Sequence, residues 1–141
     1  MKTTRLRNSL CYCINFRRAA NTLTKFYDQA FIPLNLTATQ FSLLKDIHFL
    51  KTCNKSELAV CAELDRTTII RNLNVLFEKG FIEEIPSENN RNNLIQLTKI
   101  GEDIRINGLV IWDQVQKKID QIFGDENIIT LKEIFKSIKN I

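Results

Sequence analysis

Thr67, Arg71, Asn74 and Glu78 fall on one side of a helical wheel, with Thr68 and Val75 at its edge. Ile69, Leu73, Leu76 and Phe77 cluster on the opposite side. The outward face near the helix start therefore carries small hydroxyls and one arginine. Such a face suits the major groove of a DNA duplex. Threonine reaches phosphates or base edges and offers its methyl to thymine, and arginine grips guanine O6 and N7 in bidentate fashion. Ser56, in the short segment before it, joins the candidate set, as does Arg91, placed to reach the minor groove or the backbone. An amphipathic helix with a solvated polar face would show the same residue types.

The thiols are the second source of chemistry. Cys11, Cys13, Cys53 and Cys61 have spacings that fit no common zinc pattern, and His48 is the sole histidine. His48 is expected as a partly buried helix residue without a ligand partner, so neither a metal site nor a cofactor is expected. Cys13, alone or with Cys11, is a candidate oxidant sensor, because Arg17 one turn on supplies a cation that favours the thiolate. Packing as a small hydrophobe is the alternative, and it is the expectation for Cys53 and Cys61. The chain contains no Ser-His-Asp or phosphate-loop constellation, so catalysis is not expected.

The elements that must position these residues are mostly helical. Four glycines and two prolines in 141 residues are too few for a turn-rich sandwich. Hydrophobic residues at 44% and charged residues at 26% give an ordinary globular balance, and the net charge of +4 is compatible with nucleic acid. No apolar run is long enough to span a membrane. Asn15, Arg17 and Arg18 interrupt the region after the basic start, so no secretory signal is read there and a cytoplasmic protein is expected.

Residues 5–31 read as one long helix, with Pro33 at or just past its end. Thr37 or Thr39 caps a helix over roughly 38–51, and residues 52–54 form a break. Ser56-Glu57-Leu58-Ala59 opens a short helix ending near Ala62, and Asp65 caps a longer one running from Arg66 to Lys79, stopped by Gly80. Short helix, tight turn and longer helix is the helix-turn-helix order. Phe81–Pro86 and Leu94–Leu97 read as a hairpin, a wing. Thr98 caps a long helix reaching Gly124, and Asp125 caps a last one with Ile128, Leu131, Phe135 and Ile138 as a narrow seam.

The first helix has two apolar stripes. Leu6, Leu10, Cys13, Ile14, Tyr27 and Phe31 form one, and Tyr12, Phe16, Ala19, Leu23, Phe26 and Ala30 the other. Two stripes call for burial on two sides, one against a second copy of the chain. Packing of all helices into one larger core is the alternative.

Leu34-Asn35-Leu36-Thr37-Ala38-Thr39-Gln40-Phe41, Ser56-Glu57-Leu58-Ala59, Leu64-Asp65-Arg66-Thr67-Thr68-Ile69-Ile70-Arg71-Asn72-Leu73, Glu78-Lys79-Gly80-Phe81-Ile82 and Leu97-Thr98-x-x-Gly101 resemble, in order, the MarR family of transcriptional regulators, over roughly residues 10–125. The resemblance implies a mainly α fold with a small β-hairpin wing. It implies one domain over 1–141, with a winged helix-turn-helix at 34–98 and dimerisation helices at 5–33 and 99–141. It further implies a homodimer that binds palindromic double-stranded DNA operators, with Thr67, Thr68 and Arg71 at reading positions and Arg91 at the wing tip. The expected function is a regulator, a repressor, released by a small ligand or by oxidation of Cys13. A protein-interaction adaptor on the same scaffold is the alternative.

Two positions depart from the family pattern. Asn89-Asn90-Arg91 lacks the acidic brace of the usual wing, and Glu63 stands where the turn often has glycine. If that turn needs a positive φ, Glu63 costs about 1 kcal/mol. Cys13, Tyr27 and Thr37 are also spaced as in the organic hydroperoxide-sensing branch, where Tyr27 would match one of two tyrosines bonded to the thiol; Ala38 stands at the second. Cys13 and Tyr27 lie about 21 Å apart along one helix, so they would meet only across antiparallel helices of two subunits. Trp112 is expected near the junction of the reading and dimer parts, where family members bind small aromatic ligands; core packing is its other role.

Overall fold

In the computed structural model, which describes residues 10–88 and 93–141, most helix boundaries have a local chemical cause. Helix α1 spans Tyr12–Phe31 and passes into a 3-10 turn at Ile32–Leu34, where Pro33 removes a backbone donor. Helix α2 (Ala38–Leu50) opens on a capping box: Thr37 Oγ1 accepts from Gln40 N at 3.2 Å, and Gln40 Oε1 accepts from Thr37 N at 3.1 Å. Helix α3 (Lys55–Ala62) has the same device in Asn54 and Glu57. Asp65 caps α4 (Arg66–Glu78), and Gly80, at φ +72°, turns the chain out of it. Strands β1 (Ile82–Ile85) and β2 (Leu94–Leu97) pair antiparallel, Ile82 opposite Leu97 and Ile85 opposite Leu94. Thr98 caps α5 (Lys99–Phe123), accepting from Gly101 N at 3.0 Å.

Three expectations are corrected, for the first helix, the last helix and His48. The first helix starts at Tyr12, with Leu10 in a bend and Cys11 at the N-cap; residues 5–9 lie outside the described residues. Leu10 is 99% exposed, so among the described residues its apolar side chain finds nothing to hold another helical turn in place. Helix α6 (Asp125–Ile138) has Gly124 as its N-cap, and Asp125 is its first residue rather than its cap. The acidic pair Asp125 and Glu126 instead complements the positive helix end through its charge. The expected break at 52–54 does separate α2 from α3, and it also contains a β-bridge: Cys53 exchanges backbone bonds with Ile95 at 3.1 and 2.7 Å, adding a stub to the hairpin. His48 is exposed and has an acidic partner, Glu102 of α5, described below.

The core lies under the reading unit. Leu43, Leu44 and Ile47 of α2, Leu58 of α3, Ile69, Leu73 and Leu76 of α4, Ile82 and Ile95 of the hairpin, and Cys53 are all buried together. Helix α5 docks on this core through two glycines. A Cβ on Gly101 would lie 1.8 Å from the Phe81 carbonyl oxygen, and one on Gly108 would lie 2.4 Å from the Phe41 ring. The two stripes of α1 are covered only towards its C-terminal end, at Leu23, Tyr27, Ala30 and Phe31. Towards its start, Phe16 meets Phe135 of α6 at 6.5 Å between ring centroids, yet both remain exposed. Among the described residues no helix is long and apolar enough to cross a membrane.

Candidate nucleic-acid interface

Helix α4 presents the face expected of it. Ile69, Asn72, Leu73 and Leu76 are buried; Thr67, Arg71 and Asn74 are exposed and Thr68 is half-buried. The turn that delivers α4 runs through Glu63, which takes φ +52° and ψ +41°, the left-handed conformation in which a glycine would be unstrained. Asp65 then does more than cap. Its carboxylate accepts from Thr68 N at 3.1 Å and from the Thr68 hydroxyl at 2.5 Å. These bonds, the hydroxyl first, hold the Asp65 carboxyl below the usual carboxylate range. The Thr68 hydroxyl proton is thus committed, leaving its methyl and oxygen lone pair for other contacts. Ser56 is exposed on the first turn of α3. Arg91, with Asn89 and Asn90, lies outside the described residues. The base of the hairpin is laced by Asn93 to Glu84 at 2.9 Å and Gln96 to Glu83 at 2.8 Å.

The thiol residues separate into two environments. Cys11 and Cys13 are exposed, and Arg17 Nη2 lies 3.9 Å from Cys13 Sγ, as the one-turn spacing predicts. Cys53 is fully buried, and burial, with Glu57, Cys61 and Asp46 nearby, pushes its thiol up to about 11. Burial and Asp46 also raise Cys61. Tyr27, expected opposite a thiol, donates its hydroxyl to Gln116 Oε1 of α5 within the chain, and burial raises its pKa.

Two arrangements join α2 to α5. His48 Nδ1 lies 3.2 Å from Glu102 Oε2, and Arg105 binds the same carboxylate with Nε at 2.9 Å. Arg105 first, then His48, keep Glu102 below the ordinary range. This partner stands 54 residues away in sequence, which is why spacing along one element did not reveal it. Among the described residues no cluster of three or more His, Cys, Asp or Glu side chains could hold a metal ion. In the second arrangement, a cavity of about 190 Å³ is lined by Tyr27, Phe31, Ala38, Phe41, Ser42, Lys45 and Trp112. Lys45 Nζ stands 4.6 Å from the Trp112 ring centroid, a cation over an aromatic wall.

Sequence reasoning passed over Gln40 and Asn72, which are buried and bonded to each other. The signal was available: Asn72 shares the i, i+3, i+4, i+7 positions of Ile69, Leu73 and Leu76, where an apolar residue belongs.

The family model described as the MarR family matches residues 36–93, from the end of the α1–α2 connection to the residue before β2. The multiple antibiotic resistance protein MarR of Escherichia coli (strain K12) is 30% identical over 109 residues, 75% of each chain. A Mycobacterium tuberculosis regulator, MosR, solved in complex with DNA, is 32% identical with a TM-score of 0.74, covering 91% of this chain and 98% of that one. BpsR of Bordetella bronchiseptica has the same fold at 16% identity, with a TM-score of 0.85 and coverage of 94% and 96%. With the helix-turn-helix, the hairpin and these matches in hand, the chain belongs to the MarR family and is a winged-helix regulator.

Proposed function

We propose that this protein is a dimeric, sequence-specific double-stranded DNA-binding repressor of transcription that acts in the cytoplasm. The observation that carries the reading is the outward face of α4: Thr67, Arg71 and Asn74 stand exposed beside a Thr68 held by Asp65, on a helix whose other face is anchored in the core. Ser56 would add a backbone contact, and Arg91 a contact at the wing tip. The DNA complex of the 32% identical MosR supports the same use of this scaffold.

Dimerisation is supported by the apolar residues the single chain leaves open. Phe16 and Phe26 of α1, Ile122 of α5, and Ile129 and Phe135 of α6 are all exposed. A second copy would cover them, dividing the chain into dimerisation segments at 5–33 and 99–141, built on α1, α5 and α6, and a reading unit at 34–98. Two α4 helices about 34 Å apart would then match a palindrome. The cavity at Trp112 is the place for a small effector, whose binding would shift the equilibrium between two spacings of the reading helices. Oxidation of the exposed Cys13 beside Arg17 is a second route of release, with Cys11 as its neighbour and Tyr27 excluded as a partner within one subunit.

Selection of bound duplexes from a random pool, followed by titration of the recovered sequence, tests the reading. Arg71→Ala with Arg91→Ala should abolish preference for the selected palindrome, each bidentate contact being worth about 1–3 kcal/mol. Affinity should fall steeply with salt as phosphate contacts release counterions. No enrichment of any duplex sequence, or a monomer in sedimentation, overturns it. Peroxide should release DNA from the wild type and not from Cys13→Ser; release that persists in the variant removes the thiol route.

A further inference from the structure

Among the described residues, two polar side chains are buried, and they bond to each other across the α2–α4 contact. Gln40 Nε2 donates to Asn72 Oδ1 at 3.5 Å, and Asn72 Nδ2 donates to the Thr68 carbonyl at 2.8 Å. Around them Leu43, Leu44, Ile69, Leu73 and Leu76 are completely buried. An apolar residue at position 72 would fill this wall without the cost of burying an amide.

The connections of the pair show what that cost secures. Gln40 is held at its other end by the capping box, its Oε1 accepting from Thr37 N. Thr68, at the far end, is held through its amide and hydroxyl by Asp65 and through its carbonyl by Asn72. An unbroken line of hydrogen bonds therefore runs from the first turn of α2 to the reading face of α4. Lys79, just past the end of α4, donates to the Asn35 carbonyl in the connector before α2, a second tie at the opposite end of the helix.

Apolar packing is non-directional, so a Leu-and-Ile interface alone leaves a helix free to roll by small angles on its neighbour. A buried polar pair penalises every roll that separates it, and fixing register is the best-attested use of such groups. We infer that Gln40 and Asn72 are positioning residues for DNA reading: they set the roll of α4 on α2 and thereby the aim of Thr68 and of Arg71, the residue beside Asn72. The inference rests on the proposed DNA-reading function.

The test compares wild-type protein with Asn72→Leu, Asn72→Met and Gln40→Glu. Affinity is measured for the selected operator and for a duplex with the bases under α4 permuted, at two salt concentrations, alongside thermal melting. Asn72→Leu and Asn72→Met remove both side-chain bonds and keep the number of side-chain heavy atoms. Each should lose about tenfold in the ratio of operator to permuted-duplex affinity, the scale of one misread base pair. Affinity for the permuted duplex and its salt dependence should not move. Gln40→Glu keeps an acceptor for the capping box but sets a carboxylate oxygen against the acceptor Asn72 Oδ1, so it should lose the ratio as the Asn72 variants do. Folded Asn72 variants with the wild-type ratio overturn the inference. So does a loss of both affinities in proportion to the loss of melting temperature, which marks a general effect on folding. A wild type with no preference among duplexes refutes DNA reading itself, before any variant is made.

Discussion

Gly101→Ala is the sharpest structural perturbation available, because the atom it strikes cannot rotate away. The added methyl would sit 1.8 Å from the Phe81 carbonyl oxygen and 2.7 Å from its carbonyl carbon. A carbon–oxygen contact is comfortable at about 3.3 Å, so the start of α5 and the start of β1 must part by roughly 1.5 Å. That movement pulls on two bonds. Thr98 N donates to the Phe81 carbonyl at 3.1 Å, and Thr98 Oγ1 donates to the Gly80 carbonyl at 2.6 Å. Overpacking costs about 1–3 kcal/mol and each weakened bond about 1 kcal/mol, for a total of about 3–5 kcal/mol. In a chain of this size the melting temperature should fall by roughly 10–15 °C. Circular dichroism melts at equal protein concentration measure it, with Gly108→Ala as the comparison. Its methyl meets the Phe41 ring, a side chain able to tilt, so it should lose about half as much. A Gly101→Ala protein that melts within about 2 °C of wild type would refute the close-approach argument.

Three further outcomes follow from single residues. Glu63→Gly relieves the left-handed strain at φ +52°, offset in part by unfolded-chain entropy, and should stabilise by about 0.5–1 kcal/mol, visible as a melting temperature higher by roughly 2–4 °C. Asp65 has a folded-state pKa below its unfolded value of about 3.9, so its stabilisation is present above that value and lost as pH falls through the lowered one. The melting difference between wild type and Asp65→Ala should therefore shrink between pH 5 and pH 2; a constant difference would mean the carboxylate charge is irrelevant to the cap. With its thiol pushed up to about 11 and its side chain buried, Cys53 should resist iodoacetamide at pH 8 while Cys11 and Cys13 react, and labelling of native Cys53 in mass mapping would contradict the burial.

The fold was legible wherever one residue acts on its own neighbours. Thr37, Asp65 and Thr98 each cap the helix that follows within three residues, and Pro33 and Gly80 interrupt the helical pattern beside them, so these marks survive in the linear sequence. Boundaries without such a mark were misplaced. Cys11, at the N-cap of α1, makes no side-chain cap bond, and apolar periodicity alone carries the expected first helix past its structural start at Tyr12. Asp125 has the residue type of a cap, but Gly124 occupies the N-cap position, at φ +80° and ψ +153°, and leaves the carboxylate one place into the helix.

The candidate site divides along the same line. The outward set Thr67, Arg71 and Asn74 could be read from a helical wheel, because exposure on one helix is a periodic property of that helix. The groups that tie this helix to its neighbours could not, because their bonds join residues far apart in the chain: Gln40 to Asn72 across 32 positions and Asn35 to Lys79 across 44; the ties onto α5 are equally remote, His48 to Glu102 across 54 and Tyr27 to Gln116 across 89. Asn72 could still have been flagged as a polar residue on the apolar side of its wheel, and the physical cost of such a residue is itself the clue. An amide buried among Leu and Ile side chains must be answered by another polar group, and the Gln40 side chain at the start of α2 answers it.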